Sequence, residues 1–209
     1  MDDIFNNEKE LIKKAQKDPE AFGILYDTHY QKIFRFILYR TANIDIAKDL
    51  TSETFFQALK NLWRFRFLKR PFSAWLYKIA ITQIAMYFRE RKKYLPLLYD
   101  EGVDINDIAR VNKDFMKDMH MEMDNAREYK HLRSNIYKLK EKEQNIIALR
   151  YFEEKSIKEI SEILRMKINT VKSHLHRALI HLRVLYENEK FSYAYENTSK
   201  KQFKEFRGV

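Results

Sequence analysis

A chain of 209 residues has room for one domain or two small ones, and its formal charge of +10 suits a polyanionic partner, either nucleic acid or an anionic membrane surface. Apolar residues make up 45%, enough for packed cores, while the lack of cysteine excludes disulfides, thiolate metal sites and cysteine nucleophiles. Glycine and proline number three each, too few for the many turns of a strand-rich fold, so the expectation is an all-α protein.

The first stretch, MDDIFNNEKELIKK, starts acidic and has no apolar signal core. No later run approaches the roughly 18 apolar residues of a membrane span, so a soluble cytoplasmic protein is expected. Helical periodicity then runs from about Pro19 to Lys93. Phe22, Leu25, Tyr26, Ile33, Phe36 and Ile37 fit one or two long helices, and a break near Thr41–Ile44 precedes a helix from Asp45 to Trp63. A further helix starts near Pro71, with Phe72, Trp75, Leu76, Ile79, Ala80 and Tyr87 at helical spacing. Between these helices, KNLWRFRFLKR (Lys60 to Arg70) has five bases and no acid. Basic groups can track a phosphate backbone and aromatic rings can stack on unpaired bases. For each of Trp63, Phe65 and Phe67 taken singly, a core position is the better expectation. Lys78, Thr82, Ala85 and Arg89 share the face opposite the Trp75 stripe and, with Arg91, Lys92 and Lys93, form a candidate backbone track.

The pattern lapses after Lys93. Residues 100–124 hold eight acids against three bases with few apolar positions, which reads as a mobile acidic linker. Periodicity returns from about Arg127 to Glu187, and Asn188 to Val209 reads as a loose tail. The expected architecture is two helical domains joined by a flexible linker: residues 1–94, a linker over 95–126, a second domain over 127–187, and the tail over 188–209.

The second domain carries NTVKSHLHRALIHLR, Asn169 to Arg183, which has no acid. On a helix of 100° per residue, Val171, Leu175, Ala178 and Leu182 share one face. Asn169, Lys172, Ser173, His176, Arg177 and Ile180 fall on or beside the other, and Asn169 is a good N-cap. The preceding SIKEISEIL turns Ile157, Ile160 and Leu164 inward, and Arg165–Ile168 leaves room for a tight turn. Helix, turn and basic polar helix make a helix-turn-helix, whose second helix enters the DNA major groove. The competing reading is a basic solvated face on an ordinary bundle helix. His174, His176 and His181 lack a carboxylate partner at suitable spacing, so no metal site is expected.

Two distant segments resemble one family. LKEKEQNIIALRYFEEKSIKEISEILRMKINTVKSHLHRALIHLR, Leu139 to Arg183, is similar to region four of bacterial sigma factors. DPEAFGILYDTHY (Asp18 to Tyr30), AKDLTSETFFQAL (Ala47 to Leu59) and FSAWLYKIA (Phe72 to Ala80) with Arg89 resemble region two. The order is right and nothing the size of region three lies between, so the chain looks like a minimal two-domain extracytoplasmic-function (ECF) sigma factor. The resemblance implies a protein that joins core RNA polymerase, recognises promoter DNA at two elements and helps open the duplex. It implies no catalytic residue, no cofactor and no small-molecule substrate, and adds an anti-sigma factor as a frequent partner in the family.

By the same resemblance, Asp49, Glu53, Phe56 and Gln57 face the polymerase. Arg64, Arg66, Lys69, Lys78, Thr82, Arg89 and Lys92 meet the minus-ten element. Asn169, Thr170, Lys172, Ser173, His174, His176 and Arg177 meet the minus-thirty-five element. The chain departs from the family's usual pattern at Thr82 (Asn), Met86 (Asp), Lys140 (Pro), Arg165 (Gly) and His174 (Arg). At Arg165 a left-handed backbone would cost roughly 1 kcal/mol. Two rivals remain: a regulator with a helix-turn-helix output domain that is not a sigma factor, and a basic helical scaffold for a membrane surface or partner protein.

Overall fold

A computed structural model describes residues 2–66, 71–94, 132 and 134–206. Among the described residues there is no strand. Helix α1 (Asp2–Ala15) was not expected from the sequence; it seals the first domain by burying Ile12 and Ala15. Asp18 caps α2 (Pro19–Thr41), accepting from the Glu20 N–H at 3.0 Å, with Pro19 preset for the first turn. Ala42 ends α2 in the left-handed region at φ 59, and its N–H closes on the Leu38 carbonyl. Asn43 then caps α3 (Ile44–Asn61), accepting from the Ile46 N–H at 2.9 Å. A 3₁₀ turn (Leu62–Arg64) and a short loop lead to α4 (Phe72–Tyr94).

The three long helices bury one apolar face each. Phe36 is fully buried and meets Tyr77 edge-on, with centroids 5.3 Å apart. Phe36→Ala would leave a cavity costing about 3–5 kcal/mol. Phe22, Tyr26 and Tyr30 close around Phe55, which ties α2 to α3.

The second domain begins with a short helical segment over 134–138 and α5 (Glu141–Ile147). Lys140, where the family usually has proline, sits at φ −63, the value a proline ring would impose. Unlike proline it keeps an N–H, which donates to the Glu143 carboxylate at 3.3 Å. α5 widens into a π-helical turn (Ala148–Phe152). Helix α6 (Ile157–Leu164) starts in a reciprocal box: Ser156 Oγ accepts from the Glu159 N–H at 3.2 Å, and Glu159 accepts from the Ser156 N–H at 2.8 Å. Arg165 ends α6 at φ 53 and ψ 46, the strained left-handed conformation expected where glycine is absent.

Helix α7 (Ile168–Phe206) follows a turn of three residues, one shorter than expected. It starts before Asn169, which therefore lies inside the first turn and is not the N-cap. It also runs through most of the segment read as a loose tail. That stretch lacks an apolar stripe, but it contains no proline, and no glycine before Gly208, so nothing stops the helix.

The two domains pack on each other. α6 lies against α4 and the π turn against α2, so one apolar cluster holds Leu76 and Tyr77 together with Ile146, Leu149, Ile160 and Ile163. The linker expected over 95–126 lies outside the described residues.

Candidate functional site

Three surfaces carry the residues expected to act. The first is on α3. Asp49 and Phe56 are exposed, Phe56 at 58%, while Glu53 and Gln57 are half-buried. Their spacing of four puts Asp49, Glu53 and Gln57 on one face, and Gln57 Nε2 donates to Glu53 Oε1 at 2.8 Å. The next turn extends the face with Leu59 and Trp63, exposed at 40% and 66%. Trp63 therefore corrects the expectation of a core position: the 3₁₀ turn that follows α3 swings its ring outward, and Arg64 lies 4.4 Å over it. Phe65 does pack inward, against Phe72 and Trp75. Phe67 lies outside the described residues.

The second surface joins that turn to α4. Arg64, Arg66, Thr82 and Arg89 are exposed and Lys78 is half-buried. Lys69 and the Lys92 side chain lie outside the described residues. Arg64, Lys78 and Thr82 line one cleft together with Gln57, Asn61, Trp75 and Gln83. Sequence reading assigned Gln57 to the polymerase face and missed Asn61 and Gln83, because a polar residue on a helix face carries no mark of the groove it borders. Arg165 of the second domain closes this cleft from the other side, a placement only the packing of α6 on α4 creates.

The third surface is the start of α7. Val171 and Ala178 are fully buried and Leu175 and Leu182 are partly buried, which fixes the helix's rotation. The opposite face then presents Asn169, Thr170, Lys172, Ser173, His176 and Arg177 to solvent. His174 is half-buried beside them. Arg177 lies back along its own helix, its Nε donating to the Ser173 carbonyl at 3.3 Å and its Nη2 lying 3.2 Å from His174 Nδ1. Burial, and then the Arg177 charge, hold the His174 imidazole below its usual range, so it is neutral at pH 7. The face thus keeps Lys172 and Arg177 as its cations, with the first-turn N–H groups of α7 beside them, an arrangement suited to phosphate.

Among the described residues no group of three carboxylates or imidazoles could hold a metal ion, and no helix is long and apolar enough to cross a membrane.

Residues 25–94 match Sigma-70 region 2, and residues 135–182 match Sigma-70, region 4. The RNA polymerase sigma factor YlaC of Bacillus subtilis is 31% identical over 169 residues, 80% of this chain and 92% of that protein. The ECF RNA polymerase sigma factor SigW of the same organism is 31% identical over 182 residues, 84% of this chain and 94% of SigW. The ECF RNA polymerase sigma factor BldN of Streptomyces coelicolor is 30% identical over 171 residues, 81% of this chain, but the match spans only 62% of BldN. Two solved structures share the fold. CnrH, in complex with the cytosolic domain of CnrY, superposes with a TM-score of 0.62 at 20% identity, covering 87% of this chain and 97% of that one. The sigma factor RpoE, in complex with the anti-sigma factor NepR from Bartonella quintana, gives 0.56 at 19% identity, covering 79% and 96%. With regions two and four in order, and two relatives matched over nearly their whole length, the chain belongs to the ECF RNA polymerase sigma factors.

Proposed function

We propose that this chain docks on core RNA polymerase through the α3 face of Asp49, Glu53, Phe56 and Gln57. An acidic stripe beside an exposed aromatic ring suits a basic partner surface, where charge guides encounter and the ring supplies contact area. The 62–66 turn and α4 then meet the minus-ten element as it melts. Trp63 is free to stack on an unpaired base, while Arg64, Arg66, Lys78 and Arg89 follow the backbone. The start of α7 reads the minus-thirty-five element in the major groove. The polymerase performs the chemistry and the sigma factor contributes none. An anti-sigma factor is a fitting further partner, as NepR is for RpoE in their complex, and the protein works in the cytoplasm where its polymerase is.

The observation that carries this reading is the acid-free helix face of α7, turned outward by the burial of Val171 and Ala178, in the same chain as an exposed aromatic and basic turn after α3. The test is footprinting of promoter DNA bound by core polymerase plus this chain. Protection at two separated elements is expected. Protection at one element alone would remove either the α7 or the α4 assignment.

A further inference from the structure

One side chain beside the first helix reaches the turn that faces the melted strand. Gln16 stands just past the end of α1, in the link to α2. Its N–H donates to the Ile12 carbonyl at 2.9 Å, and the N–H groups of Lys17 and Asp18 both donate to the Lys14 carbonyl at 2.9 Å. Ile12 and Ala15 are buried at the same helix end, so the core sets where Gln16 stands. Its side chain leaves that link for the turn after α3. Nε2 donates to the Leu62 carbonyl and to the Phe65 carbonyl, both at 2.9 Å.

Those two acceptors are the two ends of one turn. The turn also closes on itself, the Phe65 N–H donating to the Leu62 carbonyl at 2.9 Å. Leu62 is buried, and the Phe65 ring packs on Phe72 and Trp75. Between these anchored ends Trp63 and Arg64 project to solvent, the guanidinium 4.4 Å over the indole. A primary amide nitrogen carries two hydrogens, and here each meets one carbonyl. An alkyl or carboxylate side chain has no donor to put there.

We propose that Gln16 is a positioning residue for promoter melting: its amide clamps both ends of the 62–65 turn, so that Trp63 and Arg64 are held ready for an unpaired base and its phosphate. The inference rests on the reading of this turn as part of the minus-ten surface. A turn that is already ordered loses little conformational freedom when a base stacks on it, whereas a released turn must be ordered at the moment of binding. Gln16 thus gives α1 a part in that surface without touching DNA itself. A merely structural tie between α1 and the turn would change stability and leave strand binding alone.

The probe is a labelled single-stranded oligonucleotide with the non-template minus-ten sequence of a promoter this chain uses, titrated with the full-length chain on saturating core polymerase. Gln16→Met keeps the length of the side chain and removes both donors. An exposed hydrogen bond contributes about threefold, the low end of its usual range, so losing two should raise the oligonucleotide Kd about tenfold. A duplex carrying the minus-thirty-five element alone should bind as it does to the native chain. In a chain already carrying Trp63→Ala and Arg64→Ala, Gln16→Met should have no further effect, because nothing is left for the amide to position. The chain has two tryptophans, so Trp75→Phe leaves Trp63 as the one reporter, and its fluorescence anisotropy should fall with Gln16→Met. If Gln16→Met loses helicity, Gln16→Ala, which adds no bulk, is measured in the same way. A folded variant with native oligonucleotide affinity overturns the role of Gln16, as does an equal loss with and without Trp63 and Arg64. Failure of the native chain on core polymerase to bind the oligonucleotide would instead remove the minus-ten assignment of the turn, and this proposal with it.

Discussion

Reversing the charge of the α3 face, Asp49→Arg with Glu53→Arg, should weaken binding to core polymerase while leaving the protein folded. Asp49 is exposed and has no hydrogen bond within α3 to lose. Glu53 gives up one bond from Gln57, a pair four residues apart worth about 0.2–0.5 kcal/mol. The melting temperature of a chain this long should therefore fall by less than about 2 °C. At the interface each exposed ion pair contributes about 0.2–1 kcal/mol, and reversal replaces attraction with repulsion of similar size. Two sites together cost about 2 kcal/mol, or roughly thirtyfold in Kd. Fluorescence anisotropy of the labelled protein titrated with core polymerase reads this directly, and raised salt should narrow the gap between variant and native chain. A folded double variant with native affinity would refute the reasoning and move the interface off α3.

Four other outcomes are expected. Ser156→Ala removes the α6 cap and should cost about 1 kcal/mol in chemical denaturation. Arg165→Gly relieves the left-handed backbone, a strain of about 1–2 kcal/mol, less the roughly 0.5–1 kcal/mol that glycine's freedom adds to the unfolded chain; a small net gain in stability should appear. His174 has its pKa lowered in the folded state, so below its usual value near 6.5 the unfolded chain binds more protons and stability is lost as pH falls; His174→Gln should flatten that slope in denaturation curves taken between about pH 5 and 7. On a panel of upstream elements, Lys172→Ala should weaken all of them evenly and reduce the salt dependence by about one phosphate contact, whereas Arg177→Ala should cost about 1–3 kcal/mol and relax preference at one base position.

Where an element buries one face, its residues announced it. The stripes of α2, α3 and α4, the inward set Val171, Leu175, Ala178 and Leu182, and the break at Ala42–Asn43 were all legible, because period and capping chemistry act locally. Contacts between domains were not. Ile163 lies off the inward stripe of Ile157, Ile160 and Leu164, and it is buried by α4 of the other domain. Periodicity says that a residue is apolar, not which distant helix covers it. Glu153 and Arg40 look like ordinary surface charges in sequence; only the docked domains bury them. Trp63 failed in the opposite sense, since a large ring favours the core unless a 3₁₀ turn carries it outward. Lys140 and Arg165 show how departures from a family pattern are absorbed: one keeps the backbone angle of the residue it replaces, and the other accepts strain.

The central claim is that this chain directs initiation. The most direct measurement is in vitro transcription by core RNA polymerase, with and without this chain, on a library of promoter fragments from its own genome. The account predicts transcripts that depend on the chain and arise from a subset of fragments sharing two sequence elements about 25 base pairs apart, one in the duplex and one at the melted start. Transcripts no different from those of core polymerase alone, with a chain that is folded and binds the polymerase, would contradict it.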